Sequence, residues 1–115
     1  MSRGLSVAET YRDAAERHGI HTLDGDSRKG NVAHDDLMSA LSDLRKLDDQ
    51  GEAILTQLAD DPDDSVATWA STHLLPLRER LAIAKLKRVA SSTGIIAFGA
   101  KMVLQEWKAG RLKIS

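Results

Sequence analysis

The sequence contains no cysteine, and aromatic residues make up only 3% of its 115 residues. The absence of cysteine excludes a disulfide scaffold, thiolate chemistry and any cysteine-ligated metal site. With so few aromatic side chains, the core must be built from Leu, Ala, Ile and Val. Ala and Leu are the strongest helix formers, so this composition favours helices over a β-sheet.

Long apolar runs are also missing. No window approaches the ~20 consecutive apolar residues that a transmembrane helix needs, and the first residues lack the apolar stretch of a secretory signal. We therefore expect a cytoplasmic protein. Its length is most simply accounted for by one domain, residues 1–115, which would bury roughly two-thirds of its unfolded surface.

The net charge of -1 hides a strong asymmetry between the two halves of the chain. Residues 1–65 carry 7 Lys/Arg and 15 Asp/Glu, a net charge of -8, whereas residues 66–115 carry 9 Lys/Arg and 2 Glu, a net charge of +7. Compensation within the molecule is the simplest interpretation. The alternatives are a charge-complementary partner interface and head-to-tail self-association into a homo-oligomer.

Helical periodicity and turn signals predict six helices. Gly19 is expected to end the first helix and Gly110 the last, because glycine accepts the left-handed conformation that often follows a helix. Asp26 or Ser27 should cap the second helix, and Pro76 should open the fifth. The predicted helices run from Ser6 to His18, from Asp26 or Ser27 to Leu47, from Asp49 to Ala59, from just after Pro62, from Pro76, and from Ile95 to Ala109.

The segment from Leu55 to Leu75 indicates how these helices are arranged. It consists of the end of one helix, an Asp/Pro turn and a second helix that packs back on the first, which is typical of a HEAT-type hairpin. Such a hairpin cannot bury its apolar face alone, so at least three packed layers are expected. We predict an all-α fold, a HEAT/ARM-like right-handed stack of about three antiparallel helical hairpins.

Three segments resemble a small bacterial family of HEAT-like domains, catalogued as domain of unknown function number two thousand and nineteen. The similarity extends over most of the chain, from about Tyr11 to Leu112. The segments are Gly25-Asp26 with Asn31 and Leu44-Arg-Lys-Leu; Leu55-x-x-Leu58, Asp61-Pro-Asp-x-x-Val66, Trp69-Ala70 and Thr72-His73; and Ala100-x-Met102-x-Leu104-x-Glu106-Trp107-Lys108-x-Gly110.

The resemblance implies a small interaction protein without enzyme activity or cofactor, by analogy an antitoxin-like or immunity partner. The sequence departs from HEAT-like units at Ala67, where such units often place an arginine that pairs with Asp residues of neighbouring repeats. Without that arginine, we expect the acidic run Asp60-Asp61-Pro-Asp-Asp64 to be less neutralised and available to a partner.

No motif of catalysis, phosphate binding or metal binding is present. The chain has neither a Gly-x-Ser-x-Gly elbow nor a glycine-rich phosphate loop. His18 and His21 are three residues apart, but the expected helix end at Gly19 would separate them, so no zinc site is predicted. The segment from Asp24 to Asp35 superficially resembles a calcium loop and fits a capped polar turn better. We predict no active site, no metal and no cofactor.

Nucleic-acid binding is the alternative function. Six basic residues could form a patch towards the C-terminal end: Lys85, Arg88, Lys101, Lys108, Arg111 and Lys113. Binding of single strands or bases usually also requires exposed aromatic side chains. Tyr11, Trp69, Phe98 and Trp107 all fall on apolar helix stripes, so we assign them to the core and consider nucleic acid the less favoured partner.

The favoured function is a non-enzymatic protein-interaction module. In a regular HEAT-like stack, the second, fourth and sixth helices line the inner surface, and their polar positions would form a groove for another protein. The alternative is that these are ordinary surface residues. The predicted partner-binding residues are Asp35, Ser39, Asp64, Thr68, Lys101, Gln105 and Lys108.

Overall fold

The computed structural model describes the backbone of residues 3–114 and the side chains of residues 7–114. Six α-helices and no strand are present in this part of the chain, which confirms the all-α prediction. Within it, no helix combines the length and the apolar character that crossing a bilayer requires. The helices are α1 (Arg3–Asp24), α2 (Ser27–Arg45), α3 (Asp49–Leu58), α4 (Asp64–Leu74), α5 (Glu79–Ala90) and α6 (Ile95–Lys108).

The first helix is longer than predicted, because Gly19 does not end it. The helix continues through Gly19 to Asp24, and Gly25, with φ of +76°, follows its end instead. Gly19 is buried where α1 meets α4, and a Cβ there would lie 2.5 Å from Cβ of Ser65. The glycine therefore permits close helix packing, which outweighs its ~1 kcal/mol helix penalty.

The prediction that Pro76 opens the fifth helix is also wrong. The backbone N–H groups of Leu77 and Arg78 both donate to the carbonyl of Leu74, so Pro76 lies in the turn that closes α4. Arg78 then takes a non-helical conformation (φ -143°), and α5 begins at Glu79. The turn satisfies carbonyl acceptors that the end of α4 would otherwise leave unpaired.

Two aspartate caps agree with the turn chemistry of the sequence. Asp26 accepts a hydrogen bond from the backbone N–H of Lys29 at 3.0 Å and thereby caps α2, as predicted. Asp63 accepts from the N–H of Val66 at 3.0 Å and caps α4 directly after the Asp/Pro turn. The segment between α3 and α4 is therefore a capped reversal between two packed helices, as the sequence predicts.

The fourth helix is the centre of the fold. Eight of its eleven residues are buried, and it packs against α1, α3, α5 and α6. The consecutive pairs α1/α2, α3/α4 and α5/α6 also pack together. Buried apolar residues from all six helices form one continuous core, whose largest fully buried side chains include Tyr11, Leu37, Leu44, Leu74 and Leu86.

The connection from α2 to α3 is short and closely packed. Asp48 has φ of +51°, an unusual conformation for a residue other than glycine. Three residues later, an added Cβ on Gly51 would lie 2.1 Å from the carbonyl oxygen of Leu44. Only glycine fits at position 51 without a shift of the backbone.

Gly51→Ala should therefore destabilise the fold, by about 2–4 kcal/mol, because the methyl group overlaps a backbone atom that cannot move alone. Urea unfolding at equilibrium measures the effect. Gly30→Ala is the matched control, since its Cβ would meet only His21 at an ordinary 3.8 Å. It should raise stability by about 0.5–1 kcal/mol. Equal stability of the two variants would contradict this account of Gly51.

Candidate functional site

A cavity of about 280 Å³ opens between α1, α4 and α6. Thr22 of α1 lies on one side, Thr68 and Trp69 of α4 form the floor, and Gly99 and Val103 of α6 lie on the other side. Its position follows from the fold, because α1 and α6 both pack on α4 and also contact each other. The volume approaches the lower end of the range for ligand pockets.

Three threonines at this cavity have their hydroxyl groups already engaged. Thr22 donates to the carbonyl of His18 at 2.8 Å, Thr68 to that of Asp64 at 2.7 Å, and Thr72 to that of Thr68 at 2.7 Å. Because each hydroxyl proton is held by a carbonyl one helical turn earlier, none of the three needs a partner for that proton. The cavity is therefore better suited to an apolar group than to a highly polar one.

Exposed apolar side chains also lie on α1 and α6, the two helices on either side of this cavity. Ile20 and Leu23 of α1 and Ile95 of α6 also line a second cavity of about 280 Å³ beside it. Phe98 and Met102 continue the row along α6, at spacings of three and four residues that place them on one face. These five account for most of the large apolar side chains that the structure leaves exposed. We call the two cavities and these five residues the α1–α6 groove.

Phe98 corrects the sequence interpretation. It was assigned to the core with the other aromatic residues, yet its side chain is 59% exposed. The buried face of α6 is carried by Ala97 and Ala100 instead. A helix that is apolar nearly all round cannot be oriented from its sequence alone. The helical periodicity therefore could not show whether the Phe98 side chain faces the core or the solvent.

One end of the groove is acidic. Glu16, Asp63 and Asp64 line the second cavity, next to the N-terminal end of α6. Glu16 pairs with Arg12 at 3.1 Å, and Asp63 is occupied as the cap of α4. The carboxylate of Asp64 is exposed and has no ion-pair partner among the described residues.

Beneath the groove, Trp69 is surrounded by three histidine rings. The ring centroids of His18, His34 and His73 lie 5.1, 5.8 and 5.6 Å from that of Trp69. The Trp69 indole N–H donates to Nδ1 of His18 at 3.4 Å. Deeper in the core, the Tyr11 hydroxyl and Nδ1 of His73 share a hydrogen bond of 2.6 Å. This cluster ties α1, α2 and α4 together through side chains.

Two histidines of the cluster, His18 and His73, have pKa values that favour the neutral form. Burial, followed by the positive charge of Arg45, lowers the pKa of His73 to about 4. Burial also lowers the pKa of His18, and a neutral ring is what the indole of Trp69 requires as an acceptor. Burial raises the pKa of the Tyr11 hydroxyl above its usual value. At neutral pH the cluster therefore carries no charge on these three groups.

The histidine pair considered for zinc is placed differently from expectation. Because α1 continues through Gly19, His18 and His21 lie on the same helix. Their side chains are nevertheless separately engaged, His18 with Trp69 and His21 with Asp24 at 3.1 Å. In the described part of the chain, no group of three or more His, Asp or Glu side chains is arranged to hold a metal ion.

The structure brings only some of the predicted partner-binding residues together. Asp64 and Thr68 line the α1–α6 groove, and Lys101, Gln105 and Lys108 are exposed on α6. Asp35 and Ser39 are exposed on α2 and line neither cavity of the groove. Ser71, the next polar residue after Thr68 along α4, is fully buried and takes no part in the groove.

The physical reason is the position of α2. This helix packs against α1 and α3, and over the described residues its backbone does not approach that of α4 closely. The groove therefore uses α1 where a regular stack would use α2. Sequence reasoning missed this role of α1 because it ended the helix at Gly19, although Ile20 and Leu23 continue the apolar pattern beyond the glycine.

Charged residues of the acidic run and the basic patch are partly paired with each other. Arg12 donates two hydrogen bonds to Asp61, and Lys85 forms an ion pair with Asp60. Arg88 donates to the carbonyl of Ala59, while Arg111 pairs with Glu106. The expectation of a freely available acidic run is therefore wrong for Asp60 and Asp61, which find other basic partners in the absence of an arginine at position 67.

The chain is similar over its full length to a protein of known structure. It aligns with the crystal structure of the protein RPA1889 from Rhodopseudomonas palustris CGA009 with a TM-score of 0.87 and 17% sequence identity, covering 100% of this chain and 96% of that chain. At this identity the similarity shows the fold alone. No family model matches the sequence, and no curated protein matches it.

Lowering the pH from about 7 to about 4 should destabilise the fold through His73. Its pKa is about 4 in the folded state and 6.5 when exposed, so the unfolded state binds the extra proton in this window. Stability from the neutral ring is present above about pH 6.5 and is lost as the pH falls towards 4, an effect on the order of 3 kcal/mol. Urea unfolding at both pH values measures it.

His73→Gln is the control for this prediction, because Gln keeps a polar partner for Tyr11 and does not titrate. Over the same pH range this variant should lose less stability than the wild type. The difference between the two losses should be most of the ~3 kcal/mol attributed to His73. The same pH dependence in both proteins would show that carboxylate groups, and not His73, are responsible.

Proposed function

We propose that this chain is a non-enzymatic protein-interaction module that binds its partner through the α1–α6 groove. The observation that carries the proposal is the set of five exposed apolar side chains on two adjacent helices, three of which line the second cavity of the groove. Contiguous exposed apolar surface of this kind usually marks an interaction site. An antitoxin-like or immunity partner is the most concrete form of this function. A cytoplasmic location stays a prediction.

The energetics support a protein as the partner. Covering a half-exposed Ile, Leu or Phe contributes roughly 1 kcal/mol, so the five apolar side chains supply a useful part of a stable interface. The exposed apolar side chains provide contact area, and the cavity provides a place for one anchoring side chain of the partner. Hydroxyl groups at the centre and charges at the ends complete an apolar core with a polar rim.

We also propose that the three helical pairs are a HEAT/ARM-like unit and that the chain is a member of the domain family that it resembles. The packing of each consecutive pair and the capped turn before α4 support this. Trp69 and His73, two of the residues that carry the resemblance to this family, pack against each other in the aromatic cluster, so their role would be structural. The central position of α4 is a departure from a regular stack.

A tagged chain should capture a protein from its native cell, and Phe98→Ser should abolish most of that capture while leaving helicity unchanged. The reason is the loss of exposed apolar contact area at the groove. Val32→Ser is the matched control, since Val32 is exposed to a similar degree, 55%, on α2 outside the groove. Capture is measured by mass spectrometry after nuclease treatment. Equal capture by the two variants would contradict the groove assignment.

Nucleic-acid binding remains the second candidate, because Phe98 is exposed one helical turn from Lys101. An aromatic side chain beside a cation is the arrangement on which single-stranded bases stack. The rest of the basic patch supports it less well. Lys85 and Arg111 are in ion pairs, and Arg88 is bonded to a backbone carbonyl.

Reversing the charge of Lys101 and Lys108 together separates the two functions. For a protein partner, we expect affinity to fall by about tenfold or less and its salt dependence to change modestly, because rim charges mainly steer association. A nucleic-acid partner would lose most of its affinity, and the salt slope would fall by about one per phosphate contact removed. Fluorescence anisotropy with a labelled oligonucleotide and with the captured protein decides between them. Oligonucleotide binding that is lost in the double variant would favour the nucleic-acid function.

A further inference from the structure

We infer that the element bound in the α1–α6 groove is an amphipathic, cationic α-helix of a partner protein. This inference rests on the proposed function and names its partner. One large apolar side chain of the partner helix fills the cavity above Trp69. Lys or Arg side chains at one end of that helix face Asp64 and Glu16.

Gly99 is the first observation in favour. It lies inside α6 at a normal helical conformation, where glycine is less favourable than alanine. No heavy atom lies within 4 Å of the Cβ that it lacks, so the fold itself does not require a glycine there. It lines the cavity. A glycine that the fold does not need keeps room for something that approaches the backbone of α6 from outside.

The shape of the site indicates a helix. Two helices, α1 and α6, lie on either side of a floor formed by α4, so a further helix in the groove would complete a four-helix arrangement. The exposed row on α6 from Ile95 to Met102 extends about 10 Å, which is about two turns of a partner helix. Apolar residues at helical spacing on the partner would contact this row and Ile20 and Leu23 opposite.

Charge selects the partner helix further. The end of the groove near Ile95 is bordered by Glu16, Asp63 and Asp64, and Asp64 carries no ion pair among the described residues. The neighbouring carboxylates of Asp13 and Asp24 are engaged by Arg17 and His21. A basic residue on the partner would meet the unpaired carboxylate of Asp64 first, and an acidic one would be repelled.

Other occupants explain less of the surface. A small apolar molecule would fill the cavity and leave Ile20, Leu23 and Phe98 exposed to water. A second copy of the chain could offer α6, with exposed Lys101 and Lys108, as a cationic apolar helix. That helix already forms one side of the groove, so each copy would have to use α6 both as the bound helix and as part of the binding site. Both occupants are outcomes that the following experiment detects.

A phage-displayed library of helical peptides of about 18 residues, roughly five turns, is the probe. Selection on the wild-type chain should enrich peptides with a large apolar residue in a row at helical spacing and Lys or Arg towards one end. Gly99→Leu fills the cavity without removing any contact of the fold, so it should keep its helicity and should not lower the unfolding temperature. Purified enriched peptides should bind this variant at least about tenfold more weakly.

Asp64→Lys should weaken the same peptides about fivefold, and the exposed Val32→Ser control should leave their affinity unchanged. Failure to enrich any peptide, or equal affinity for wild type and Gly99→Leu, would overturn the inference. Enriched peptides without basic residues would overturn its cationic part. Indole that binds as tightly as the peptides, or a dimer of the free chain that the peptides dissociate, would assign the groove to a small molecule or to a second copy.

These results are separable from the test of the proposed function. If a cellular protein is captured through Phe98 but its binding is indifferent to Gly99→Leu, the helix inference fails and the interaction module stands. If no protein is captured through the groove, the proposed function itself fails.

Discussion

The close contact between α1 and α4 at Gly19 and Ser65 is the constraint on which the rest of the structure depends. The absence of a side chain at Gly19 lets Ser65 approach, and the Ser65 hydroxyl donates to the carbonyl of Ala15 at 2.9 Å. This contact fixes the spacing of two helices over several turns. Any larger residue at position 19 would push α1 away from α4, against which α3, α5 and α6 also pack.

Two further features follow from that spacing. On one side of the contact, Tyr11 meets His73 and His18 meets Trp69, which gives a neutral polar cluster in the core. On the other side, the second half of α1 stands opposite α6 and forms the groove. Burial lowers the pKa values of His18 and His73, and the groove is apolar because the threonine hydroxyl groups at it are already bonded. The neutral cluster in the core and the candidate groove therefore both depend on the close spacing of α1 and α4.

The helical class and the number of helices could be predicted from the sequence, and most of the site could not. Periodicity, the Asp26 cap and the Asp/Pro turn indicated six helices, and the bounds of α2, α3 and α6 to within about two residues, because these signals are local. Gly19 and Pro76 were misread, since their roles depend on what packs against them or closes the preceding turn. The facing of Phe98 and the replacement of α2 by α1 at the groove depend on tertiary packing, and no spacing in the sequence encodes them.

The most direct measurement is photo-crosslinking in the native cell with p-benzoylphenylalanine in place of Phe98. The side chain is exposed in the apolar row of α6 that belongs to the groove, so a partner bound there lies within reach of the probe. We predict one specific protein adduct at position 98 and none when the same probe replaces Val32. The absence of an adduct, or the same adducts at both positions, would contradict the claim that the α1–α6 groove is a protein-binding site.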